Sequence, residues 1–195
     1  AYVVVDARRL DDPRPHLFRT RDHGQSWERL ENGLPTDQHL FVVREDPTDP
    51  SLLYVGAERG LFFSRDAGAS FVDLRGNLPA VGVADLEVKH DDLILGTRRG
   101  LWILDDLSAL RRLTAAAKAG PAVLFPPRPA TRVRLASRWD RLESTAASNR
   151  PHGLVIHYWL KEATADPAPG APRSQDDPSE LRLEIFDAEG QLVRT

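Results

Sequence analysis

Residues Thr20–Trp27 read TRDHGQSW, and residues Ser64–Phe71 read SRDAGASF. Both octapeptides have the pattern hydroxyl–Arg–Asp–x–Gly–x–Ser–aromatic, and they lie 44 residues apart. A catalytic signature normally occurs once in a domain. Recurrence at a fixed interval is instead the mark of a repeated supersecondary unit.

The surrounding sequence repeats as well. Asn32-Gly33-Leu34-Pro35 is matched 44 positions later by Gly76-Asn77-Leu78-Pro79, and Gly60-Leu61 recurs as Gly100-Leu101 at a spacing of 40. A third copy keeps Asp106 but has Leu107-Ser108 where the glycine turn should fall, and reads as a decayed unit. In the middle unit, β-type runs are predicted at Leu40–Arg44, Leu52–Gly56, Leu61–Ser64 and Phe71–Leu74. Asp46-Pro47-Thr48-Asp49-Pro50 separates the first two as a turn. Four short strands in roughly forty residues is the pattern of one propeller blade. Residues 1–113 are therefore expected to supply about two and three-quarter four-stranded blades.

The octapeptide resembles the Asp-box, or BNR repeat, Ser/Thr–x–Asp–x–Gly–x–x–Trp/Phe. The matching positions are Thr20, Asp22, Gly24 and Trp27, then Ser64, Asp66, Gly68 and Phe71. Asp boxes occur in sialidases, xyloglucanase-type glycosidases and sortilin-type receptor propellers. The resemblance implies a stapled hairpin between the third and fourth strands, on the outer rim of a propeller. The residue chemistry agrees. Asp and Ser side chains bond nearby backbone amides, Gly accepts positive φ, and the aromatic ring is expected to bury between sheets. Asp22 and Asp66 are thus expected as turn staples, because equivalent acids on different blades lie far apart.

Bulk composition narrows the partners. Net charge is −3, with 28% charged residues interspersed in sign, so nucleic acid is not expected as a partner. No apolar stretch is long enough for a membrane span, and no membrane insertion is expected. The chain has no cysteine, which excludes disulfides and thiolate metal sites. His152 and His157 fall on opposite faces of a β run, no other metal pattern is visible, and no metal or cofactor is expected. Lysine occurs only at positions 89, 118 and 161 against abundant Arg, Ala, Pro and Asp, which points to a GC-rich bacterial coding bias. Both ends read as strands, which predicts a portion of a longer protein.

In a propeller, ligands meet the connections between blades. Two are present in full, ENGLPTDQH at Glu31–His39 and RGNLPAVGVAD at Arg75–Asp85. Gln38 and His39 are candidate ligand-binding residues. Asp37 and Asp85 are the only carboxyl pair to propose for glycoside hydrolysis, which needs two acids about 5–10 Å apart. Solvated loop carboxylates are the plainer reading of both. Asp91-Asp92 and Asp105-Asp106 read as turn or edge charges.

Beyond the repeats, Leu107–Ala119 accommodates a short helical turn or a last weak strand. Residues 114–150 read as a proline-rich linker pinned on the propeller by Val123–Phe125. Residues 151–195 begin a second β module, with a mobile loop expected at 163–179. Its hairpin LRLEIFDAEGQLVRT (181–195) resembles that of immunoglobulin-like domains of the flagellar hook-cap type, here an incomplete sandwich. The sequence thus predicts an all-β chain. The resemblances imply a propeller-based binding module of a large exported bacterial protein, secreted or periplasmic. Its partner would be a protein, peptide or polysaccharide, and the remaining blades would come from the same parent chain or a partner chain. The rivals are a glycoside hydrolase whose acids lie largely elsewhere, and a structural subunit that completes another chain's ring.

Overall fold

The computed structural model describes residues 1–130, 153–162 and 183–194. The expected mobile loop at 163–179 and the residue His152 lie outside the described residues. The described chain is all-β apart from short helical turns. Three antiparallel meanders follow one another: β1 (Tyr2–Val4), β2 (Leu17–Arg19) and β3 (Glu28–Arg29); β4 (Leu40–Glu45), β5 (Leu53–Ala57), β6 (Gly60–Ser64) and β7 (Val72–Asp73); then β8 (Val83–Lys89), β9 (Asp92–Thr97) and β10 (Gly100–Leu104). The middle sheet has the four strands that the sequence predicts, to within two residues at each end.

The repeat reappears in the ladders. Tyr2 lies opposite Arg19 as Tyr54 lies opposite Phe63, so β1 and β2 are the counterparts of β5 and β6. The third sheet has no fourth strand among the described residues. A helix, α1 (Ser108–Arg112), stands where a box and a closing strand would be. Without a glycine turn after Asp106, the chain continues through Leu107 into helical backbone, and the Arg111 amide closes onto the Leu107 carbonyl at 2.9 Å.

Period-two alternation splits the middle sheet between two cores. Leu53, Val55, Ala57 and Phe62 face the first sheet, where they join Leu17, Leu30, Leu34 and Phe71. Tyr54, Leu61 and Phe63 face the third, where they join Val83, Leu86, Leu93, Leu95 and Leu107. Every residue of β5 and β6 is therefore buried. Covered on both faces, these strands read as continuous apolar runs. The inner strands β4 and β8 also pack against each other.

Two smaller ladders complete the description. β11 (Ala122–Leu124), within the proline-rich segment, pairs with β12 (Tyr158–Leu160), so a ladder joins the segments 114–150 and 151–195 that the sequence separates. Phe125 is buried, Arg112 donates to the Pro126 carbonyl at 3.1 Å, and Arg128 reaches Asp91 and Asp92 at 3.4 and 3.5 Å. β13 (Ile185–Phe186) and β14 (Leu192–Arg194) form the expected hairpin, whose turn is held by Asp187 accepting the Gln191 and Glu189 amides.

Candidate functional site

The two boxes have the same internal bonding. The Thr20 hydroxyl donates to Asp22 at 2.8 Å and accepts the Gly24 amide at 2.8 Å. Asp22 accepts the Ser26 amide at 2.9 Å and the Ser26 hydroxyl at 2.5 Å. In the second box Ser64 and Asp66 bond Gly68 and Ser70 in the same way, at 2.7, 2.8, 2.8 and 2.5 Å. The sharp point is two residues with positive φ, His23 and Gly24 in one box, Ala67 and Gly68 in the other. The Ser26 hydroxyl and amide and the Thr20 hydroxyl hold the Asp22 carboxyl down at about 2. At Asp66 burial opposes ionisation, but the hydrogen bonds from Ser70 and Ser64 outweigh it and leave the group below its ordinary value. Both carboxylates are spent on their own turns. Phe71 is buried between sheets as expected, at 3% exposure. Trp27 corrects the expectation for the aromatic position, since it is 47% exposed. Phe71 sits on the first sheet's tail at Asn32–Leu34, whereas Trp27 has no such cover among the described residues.

The meander topology puts the boxes and the hairpin tips at opposite ends of the sheets. The tips carry arginine in every unit: Arg8-Arg9 after β1, Arg59 between β5 and β6, and Arg98-Arg99 between β9 and β10. At this end lies an open cleft of about 260 Å³ lined by Asp6, Arg8, Phe41, Gly82, Ala84 and Arg98. An adjoining cavity of about 540 Å³ shares Asp6 and Arg8 and adds Arg9. All three units contribute to the cleft, the first through the connection that follows β1.

Two β-bulges aim residues into it. The β4–β5 register steps from Leu40↔Ala57 to Val42↔Gly56, which leaves Phe41 out of the ladder. The β8–β9 register steps from Val83↔Thr97 to Asp85↔Gly96, which leaves Ala84 out at the equivalent place. A bulged residue is released from strict alternation and is commonly re-aimed beside a site. Phe41 also supports Arg8, whose guanidinium lies 5.1 Å from the ring centroid. Arg8 forks onto Asp6, with Nε–Oδ1 at 2.9 Å and Nη2–Oδ2 at 2.5 Å. The Arg8 side chain and its amide hold the Asp6 carboxyl at about 2, with a lesser contribution from His39. Arg9 and Arg98 are exposed and make no ion pair among the described residues.

The sequence candidates lie around this end without forming one constellation. Asp37 pairs with Arg59 at 2.5 Å and Asp85 with Arg44 at 3.1 Å, and neither lines the cleft. Gln38 is buried, and its amide oxygen accepts the Arg59 backbone N–H at 3.0 Å, so it fixes a hairpin tip. His39 is half-buried, and its carbonyl accepts the Glu58 amide at 3.0 Å. The connection at Arg75–Asp85 does reach the cleft, but through Gly82 and Ala84. Arg8, Phe41 and Arg98 were missed. The arginine that precedes Gly-Leu in two units, Arg59 and Arg99, marks the hairpin tips but not the lining itself.

At the opposite end a second polar cluster joins the sheets. The Asp46 side chain is fully buried and accepts from Thr48, Asp49, Tyr54 and Arg111. Arg111, on α1, also pairs with Asp91 at 2.6 Å. Among the described residues no group of three His, Cys, Asp or Glu is placed to hold a metal ion. No helix among them is long and apolar enough to cross a membrane. Comparison with known proteins gives no match among protein families, curated sequences or solved structures.

Proposed function

We propose that residues 1–113 belong to an Asp-box β-propeller that serves as a binding module of a large exported bacterial protein, with 151–195 starting an immunoglobulin-like spacer. The ligand, a protein, peptide or polysaccharide, meets the chain at the Arg8–Phe41–Arg98 cleft. One observation carries this reading. Three successive units deliver side chains to a single open cleft at the end remote from their structural boxes. Two equivalent bulges place non-equivalent residues, Phe41 and Ala84, in it.

The cleft chemistry selects the ligand group. Arg98 offers a planar fork of donors suited to a carboxylate, and Phe41 an apolar face. The chain carries a net −3, so bulk charge does not attract polyanions and a measured affinity would belong to the site. The test is titration of the chain with polygalacturonate and polyglutamate, with dextran as the neutral control. An acidic polymer is expected to bind, and Arg98→Ala to weaken it about tenfold, the effect of losing one charge-assisted hydrogen bond. Absence of binding to either polymer, or binding indifferent to Arg98→Ala, would overturn the assignment.

A further inference from the structure

We infer that the surface around Trp27 is a docking site for the tail of a further unit of this same repeat, supplied from outside the present sequence. The inference concerns assembly, and it stands apart from the ligand-binding reading. It rests on the one interface of this kind that is complete. The second box is covered by the tail of the first unit. The Phe71 amide donates to the Asn32 carbonyl at 2.9 Å, and the Asn32 side-chain amide donates to the Ala69 carbonyl at 3.1 Å. Packing there leaves no slack. A Cβ on Gly33 would lie 2.1 Å from the Phe71 carbonyl oxygen, and one on Gly68 would lie 2.5 Å from Leu30.

The first box has the same turn, the same hydrogen bonds and the same aromatic position, but no cover among the described residues. Gly24 and Trp27 are exposed where Gly68 and Phe71 are buried, and a Cβ on Gly24 would meet only Trp27 itself, at 3.8 Å. Val3, on the same sheet, is exposed as well. The repeat therefore defines the missing occupant as a Leu–x–Asn–Gly–Leu–Pro-type tail. A second copy of this chain has none to give. Leu34 and Leu78, which mark its two tails, are already buried in its own cores, and no third such tail occurs in the sequence.

The decisive chain is one in which residues 1–52 are repeated ahead of Ala1. Ala1 is the register counterpart of Leu53, so the addition supplies a complete tail and an opening strand. The outer copy carries Trp27→Phe. Acrylamide quenching of the inner Trp27, taken by difference against its own Trp27→Phe variant, is expected to fall severalfold, with a blue-shifted emission. Gly33→Leu in the added tail alone should restore the quenching. Trp27 left as accessible as in the native chain would overturn the inference. A second measurement needs no extension. In the native chain Trp27→Ala should leave Tm nearly unchanged, while Phe71→Ala lowers it by about 10 °C. Equal losses, or a native dimer in which Trp27 is already shielded, would show that the partner is present and sink the idea.

Discussion

Arg111→Met tests whether a single side chain ties the middle sheet to the third. Its guanidinium makes four contacts at 2.6–3.2 Å, to both Asp46 oxygens, to Asp91 and to the His90 carbonyl. The Arg111 side chain is 13% exposed and Asp46 is 0% exposed. Breaking a buried ion pair from one side costs about 3–5 kcal/mol, because the remaining charge loses its partner. Here Asp46 would keep the Thr48 amide and hydroxyl, the Asp49 amide and the Tyr54 hydroxyl. The carboxylate is not orphaned, so the expected loss lies at the low end, about 3 kcal/mol. Urea unfolding measures it, and a cycle with Asp46→Asn isolates the pair. The coupling should be about 1–3 kcal/mol. The pH dependence has a defined sign. Burial raises the Asp46 pKa, but hydrogen bonds from Thr48 and Arg111 outweigh it and set the folded value below the unfolded one. The stabilisation is complete above an unfolded pKa of about 3.9 and is lost as pH falls through the folded value. Without Arg111 the folded value rises, so acid unfolding begins at higher pH. A loss below about 1 kcal/mol with an unmoved acid limb would refute the reasoning.

Glycine substitutions probe the inter-unit fit. Gly33→Ala must place a Cβ against the Phe71 carbonyl at φ +83°, and is expected to cost more than about 3 kcal/mol in urea unfolding, while Gly76→Ala, with open space at φ +52°, should cost only about 1 kcal/mol. Asp66→Ala removes three hydrogen bonds from a largely exposed turn and should lower stability by about 1–2 kcal/mol by the same assay. Asp22→Ala should lower Tm in the same direction. The wild-type first box keeps its contribution above the ordinary carboxylate range and loses it as pH falls towards about 2, readable by amide exchange at Gly24 and Ser26.

The strands were legible where local pattern and tertiary demand coincide. β4 to β7 lie in a sheet covered on both faces, so Leu53–Ala57 and Gly60–Ser64 announce themselves by apolar continuity, and the boxes announce their turns. The rest depends on partners distant in sequence. Nothing local marks Asp46 for Arg111, 65 residues away, or Ala122–Leu124 for pairing with Tyr158–Leu160. The cleft was hidden for a related reason. Acids in connections drew attention as possible catalysts, but Asp37 and Asp85 are held by neighbouring arginines. Phe41 and Ala84 enter the site through bulges, and a bulge is a property of two strands in register, which neither strand spells alone.

The repeat also explains where variation is tolerated. Positions that build the stack recur: the box hydroxyl, the Asp, the Gly, the aromatic, the tail leucine and the arginine at each hairpin tip. The box hydroxyl and Asp close their own turn, and the aromatic at Phe71 and the tail leucines pack in the cores, so drift there costs turn geometry or packing. Positions that face the cleft occupy equivalent places but differ. The bulged residue is Phe41 in one unit and Ala84 in the next, and the residue before the tip arginine is Arg8 in the first unit and Arg98 in the third, while Glu58 of the middle unit stays outside the lining. Phe41 and Arg8 touch each other across units but are not buried in either core. They are free to specialise, and a single cleft assembled from non-identical copies is asymmetric although its scaffold repeats. That asymmetry is what a ligand with direction, a peptide or a polysaccharide chain, requires of its site.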